Sequence, residues 1–163
     1  LTLDDKREVY LLLIKELLIR NGCLVDQIRG YDLIGRFKKL HFIVRCLFNQ
    51  PCYLVFNNEV KEFADCIEKE PKEVIGFLVS NTFFSDEVLR TFGKNGRILF
   101  CHENDIIDNI VHVEENNENQ LNILLGAFEN IINIQKGLLK QLKEMSSGSI
   151  ESVRLHDVQN SDM

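Results

Sequence analysis

The sequence predicts an α/β fold, a mixed sheet flanked by helices, followed by a long C-terminal helix. Three observations predict it. Residues 74–111 alternate strand, helix, strand, helix, the rhythm of parallel strands joined by crossover helices. Residues 40–48 (LHFIVRCLF) are almost continuously hydrophobic, as a central strand covered on both faces must be. An apolar stripe recurs at helical spacing from Leu121 to Met145.

Taken in order, residues 4–21 read as a helix. Acidic residues crowd its first turn, Gly22 supplies a left-handed stop, and Val9, Leu12, Leu13 and Leu17 follow i, i+3, i+4 spacing. Leu11, Ile14, Leu18 and Ile19 widen that stripe, so burial on more than one side is expected. Tyr31–Phe37 and Leu40–Phe48 then form two strands joined at Lys38–Lys39, and Gln50–Pro51 breaks the second. Asn57 or Asn58 caps a helix with Val60, Phe63, Ala64 and Ile67 on one face, ended by Pro71. Val74–Val79 is a short buried strand. Ser85 caps a helix through Phe92, and Gly93 and Gly96 punctuate before the strand Arg97–Cys101. A short helix over Asp105–Val111 follows, then an acidic, Asn-rich connector over Glu114–Asn119, then the helix 119–145. The expected division is a domain over residues 1–113, an amphipathic helix over 114–145 and a disordered tail over 146–163.

With 163 residues, 45% of them apolar and 27% charged, the chain suits one globular domain and excludes wholesale disorder. Its longest apolar run, Tyr10–Ile14, is far short of a bilayer crossing, so no membrane association is expected. The charged start, Asp4 to Glu8, does not resemble a signal peptide, and a first residue Leu1 instead of Met suggests an excised fragment. Five cysteines without a CxxC pair point to a reducing compartment, cytoplasmic or nuclear, with no disulfide framework. Cys46, Cys66 and Cys101 sit in apolar or amphipathic surroundings that predict buried thiols. The four histidines are scattered, which excludes a clustered zinc site.

A net charge of −6 argues against a generic nucleic-acid binder. The charge is uneven, however: Arg29, Arg36, Lys38, Lys39 and Arg45 face only Asp32 between residues 29 and 45, whereas residues 102–120 carry six acids and no Lys or Arg.

One segment carries chemical information. Gly30-Tyr31-Asp32 precedes two strands, the second holding Phe42-Ile43-Val44-Arg45-Cys46-Leu47. A helix with an x-V-x-E-F pattern follows at Glu59–Phe63, and after Pro71 comes a strand with a G-(I/F)-x-V-S core at Gly76–Ser80. A helix and a last strand with an acidic end complete the order, from Arg97 to Asp105. In that order these motifs resemble the PD-(D/E)XK nuclease superfamily, and within it the Mrr-like (type IV restriction endonuclease-like) group.

The resemblance implies a restriction-endonuclease-like αβββαβ core. It also implies a chemistry in which two acids hold Mg²⁺ beside the scissile phosphate while a Lys positions the attacking water. Side chains two apart on a strand share a face, so the second acid and the Lys would enter one pocket beside the first acid. Here Asp32 matches the first acid, as a remnant of the catalytic motif. Arg45 stands at the second acid's position and Leu47 at that of the Lys. A guanidinium there repels a divalent cation and leucine cannot orient water, so the implied protein is a pseudonuclease with no metal and no cofactor. Mg²⁺ enters only under the alternative, an active endonuclease whose site has migrated, with Lys61 or Lys39 substituting for the missing Lys.

Structural readings stand beside these. Asp32 and Arg45 form an ion pair across adjacent strands in one; Arg36, Lys38 and Lys39 are a solvated hairpin in place of phosphate contacts in another. His102–Asp105 is either a site rim or the cap of the next helix. The 119–145 stripe packs on its own domain or makes a homodimer, a self-association module. The expected partners are therefore DNA, met by Arg36, Lys38, Lys39 and Arg45, or a protein, or a second copy through residues 119–145.

Overall fold

The computed structural model describes residues 2–30 and 32–161, with side chains through residue 147; Tyr31, the expected start of the first strand, lies outside them. The elements run α1 (Leu3–Arg20), β1 (Leu24–Gln27), β2 (Asp32–Phe37), β3 (Leu40–Leu47), α2 (Asn57–Glu68), β4 (Ile75–Ser80), α3 (Asp86–Phe92), β5 (Ile98–His102) and α4 (Ile106–Ser161). The chain is α/β, with one mixed sheet in the order β1-β2-β3-β4-β5. Neighbours β1, β2 and β3 pair antiparallel, and β3, β4 and β5 pair parallel. The change of direction at β3 follows from the connections. A two-residue turn can only reverse the chain, whereas α2 and α3 carry it back to restart in the same sense.

Two units divide the chain, Leu1–Asn117 and Glu118–Met163. In the first, the sheet lies between two helical layers. Alternation along β3 assigns Phe42, Val44 and Cys46 to one face, where they pack with Tyr10, Leu11, Ile14 and Leu18 of α1 and with Ile106 and Ile110 of α4. Ile43 points the other way, among Val60, Phe63 and Ile67 of α2 and Val88 of α3, with Leu47 packed beside it. Gly76 on β4 lets α2 approach this closely: a Cβ there would lie 2.7 Å from Ile67 Cγ1 and 2.9 Å from Phe63 Cε2.

Several local expectations are corrected. α1 buries one side only, since Val9, Leu12, Leu13 and Ile19 are exposed; its N-terminus is a capping box in which Thr2 and Asp5 bond reciprocally. β1 has no counterpart in the residue pattern, though the αβββαβ formula requires it. The connector at Glu114–Asn119 is helix, continuous with the elements on either side, and α4 also runs through residues 146–161. Cys46 and Cys101 are buried as expected, but Cys66 is exposed; all five cysteines are free. Among the described residues no helix is long and apolar enough to cross a membrane.

Candidate functional site

The β2–β3 hairpin turns at Lys38–Lys39, with Phe37 opposite Leu40. From that register Asp32 falls opposite Arg45, and both side chains lie on the sheet face that α2 covers. Arg45 Nε donates to Asp32 Oδ1 at 2.8 Å and Nη2 to Oδ2 at 2.9 Å, a bidentate fork in which both carboxylate oxygens are taken. The pair is largely shielded, with side-chain exposures of 16% for Arg45 and 14% for Asp32. The Arg45 guanidinium also lies 5.1 Å from the Phe63 ring centroid, within cation–π range, and Nη2 reaches Cys66 Sγ at 3.7 Å. Hydrogen bonding to Asp32 pushes the Arg45 pKa up despite its burial, so the group is cationic at every accessible pH.

Around the pair lies a cavity of about 490 Å³, open to solvent and lined also by Arg29, Gly30, Leu47, Glu59, Glu62 and Cys66. Residues 59, 62 and 66 share one helical face of α2, and the Glu62 carboxylate is 3.9 Å from Arg45 Nη1. Glu59 Oε1 accepts from the Tyr53 hydroxyl at 3.4 Å, while its Oε2 is buried without a partner. The sequence did not single out Glu59, Glu62 or Cys66 as site residues. The first two sit in the x-V-x-E-F pattern, which was the available signal.

The residues present do not fit a divalent cation. Asp32 is clamped by a guanidinium, where two like unit charges at 4 Å would oppose each other by about 1 kcal/mol in water and several near a protein surface. Among the described residues no group of three or more His, Cys, Asp or Glu side chains is placed to hold a metal ion. Leu47, packed against the apolar cluster under α2, offers nothing to a water molecule. Lys61 and Lys39 are exposed, and neither lines the cavity.

The expected cations are separated. Arg45 lies six residues along β3 from Lys39, about 20 Å at 3.3 Å per residue. Arg36 is exposed on the same face as Arg45 but near the hairpin tip, opposite His41. Lys38 holds a left-handed backbone (φ 52°), lies 5.5 Å from the Phe37 ring centroid and pairs at 3.9 Å with Glu114 of α4. The structure therefore brings Asp32 and Arg45 together and leaves Arg36, Lys38 and Lys39 exposed near the hairpin tip, with Lys38 paired to Glu114.

At the carboxyl ends of β3, β4 and β5 lies a second cavity, of about 660 Å³, lined by Tyr10, Leu13, Leu17, Phe48, Asn81 and Glu103 among others. Open α/β sheets place ligands at such strand ends. Here the Tyr10 hydroxyl donates to Glu103 at 2.7 Å, so the strand-end acid is engaged with α1.

No protein-family model matches the chain. No curated protein matches it. A solved structure described as the MspJI restriction endonuclease in complex with a 27-mer oligonucleotide is similar at a TM-score of 0.40 and 14% identity, over 63% of this chain and 27% of that one. The chain thus spans about a quarter of that protein's length. No site residue is transferred from a likeness of that size.

Proposed function

We propose that the chain is a hydrolytically inert relative of the PD-(D/E)XK nucleases, Mrr-like in type, that binds DNA through the tip of its β2–β3 hairpin. The observation that carries this reading is the Asp32–Arg45 fork: the one carboxylate at the motif position is neutralised by the residue standing where the second carboxylate belongs. Such a pocket can hold strands and helix in register but cannot gather Mg²⁺ or prepare a nucleophile. What remains for the phosphate backbone are Arg36, Lys38 and Lys39 near the hairpin tip, all three exposed, with Lys38 also 3.9 Å from the Glu114 carboxylate.

The test has two parts. Calorimetric titration with MgCl₂ and MnCl₂ should give no saturable heat, and supercoiled plasmid should stay intact with either metal. The double variant R45E/L47K should gain metal binding. Nicking by the natural chain that disappears in D32A would overturn the inert reading in favour of a migrated active site. For DNA, three neutralised phosphates imply a slope near −2.7 in log affinity against log salt, or about a 40-fold loss between 50 and 200 mM. R36A/K38A/K39A should abolish most of that slope.

A second reading, docking of a protein on the hairpin face, is favoured by the exposed apolar side chains of Leu24 and Ile34 beside Arg36. It predicts no salt-dependent DNA affinity at all.

A further inference from the structure

The helix of the second unit is apolar along a seam whose side chains are exposed. Between Leu121 and Met145, three of every seven positions are apolar at fixed spacing, those labelled a, d and g of a heptad. The sole exception is Gln135, and the apolar members are between 42% and 69% exposed. The rest of this stretch is a poor helix former: Asn122, Asn130 and Asn133 are weak, and Gly126 and Gly137, at positions b and f off the seam, are weaker still. A helix of that composition owes its stability to packing of the apolar face, not to propensity.

Charge decides what packs there. Within the second unit Glu118 and Glu129 precede Lys136, Lys140 and Lys143, and Glu144 stands among those lysines. Laid parallel, two copies would set the e positions Glu129, Lys136 and Lys143 beside apolar g positions, with no charge met by its opposite. Laid antiparallel, e positions flank e positions, and Glu129 of each copy can meet Lys136 of the other.

We infer that residues 118–146 of α4 pair antiparallel with the same residues of a second copy. One register satisfies most of the pattern, leaving Leu121 opposite Ser146 and Ile132 opposite Gln135. It sets Leu125 on Leu142 of the second copy, Phe128 on Leu139 and Ile132 on Gln135, each twice by the two-fold symmetry. On one flank, position g meets position g, Leu124 beside Met145 and Ile131 beside Leu138. On the other flank, position e meets position e, and Glu129 lies beside Lys136 of the second copy. The seam is about 36 Å long at 1.5 Å per residue. Burying its half-exposed side chains on both copies removes on the order of 1,500 Å² from water, within the range of stable protein interfaces. This pairing does not depend on the nuclease reading, since it uses no residue of the first unit.

The experiment is sedimentation equilibrium of the full chain and of three charge variants, E129K, K136E and E129K/K136E. Residues 129 and 136 are seven apart on one helix, about 10 Å along its axis and too far to pair within a chain. Any compensation between them is therefore between copies. The natural chain should dimerise, each single variant should raise the dissociation constant about tenfold by turning two attractions into two repulsions, and the double variant should return to within about threefold of the natural value. Circular dichroism checks that the variants remain helical. A natural chain that is monomeric up to about 200 µM overturns the inference, as does a double variant that stays as weak as the singles. The first outcome points to a different partner for the seam, the second to a parallel or shifted register.

Discussion

Replacing Asp32 by Leu leaves the Arg45 guanidinium in a shielded pocket without its counter-ion, and replacing Arg45 by Met strands the Asp32 carboxylate in the same way. Breaking a fully buried pair costs about 3–5 kcal/mol, because the surviving charge has lost both its solvent and its partner. Here the two side chains retain 16% and 14% exposure, and Glu62 stands 3.9 Å from Arg45, so some compensation survives. About 2–3 kcal/mol is expected for each single variant. Replacing both at once, D32L/R45M, puts two apolar side chains over Phe63 and should cost less than about 1 kcal/mol. The coupling free energy is then at least about 3 kcal/mol, well outside the error of a double-mutant cycle. Urea unfolding followed by circular dichroism measures it: at about 1.5 kcal/mol per M, each single variant lowers the midpoint by about 1.3–2 M while the double stays within about 0.7 M of the natural chain. Single effects below about 0.5 kcal/mol that simply add in the double would refute the clamp, and with it the argument that Arg45 neutralises Asp32.

Three further predictions concern the body of the first unit. Arg97 donates to the carbonyls of Glu70, Pro71 and Val74, tying the loop before β4 to the start of β5; R97A should destabilise by about 2 kcal/mol and raise hydrogen exchange in residues 69–75 before the rest of the domain. Burial raises the Cys101 thiol from its ordinary 9.0 to about 12. The folded chain therefore keeps a proton that the unfolded chain releases, and stability is flat in this respect below pH 9 and falls as pH rises from 9 toward 12. C101A should flatten that decline in urea unfolding. At pH 8, iodoacetamide should label Cys52 and Cys66, which are exposed, and spare Cys23, Cys46 and Cys101 until denaturant is added.

Legibility differed by element for physical reasons. β3 and β4 were evident because strands covered on both faces must be apolar at nearly every position, and LHFIVRCL and IGFLVS are. β1 (LVDQ) is a four-residue edge strand with no fully buried side chain, so it leaves no periodic trace. The apolar residues of α1 surround most of its circumference, and periodicity alone cannot tell which third meets the sheet. Glu114–Asn119 reads as a connector because Asn is a weak helix former and acids repel, yet the helix passes through it, with Glu114 buried against Lys38 from the hairpin tip.

By itself the sequence determined the alternating α/β order and the antiparallel hairpin, and with the hairpin the pairing of Asp32 with Arg45. A two-residue turn at Lys38–Lys39 places residues 32 and 45 equally far from it, and cross-strand register follows from that count alone. Only the tertiary structure decided what surrounds the pair. Phe63, Glu59, Glu62 and Cys66 arrive from α2, whose approach depends on the missing Cβ of Gly76 on β4, the neighbour of β3. The same holds for the separation of the hairpin-tip cations from Arg45. Contacts between elements distant in the chain are set by how whole faces pack, and no local pattern of residues encodes that packing.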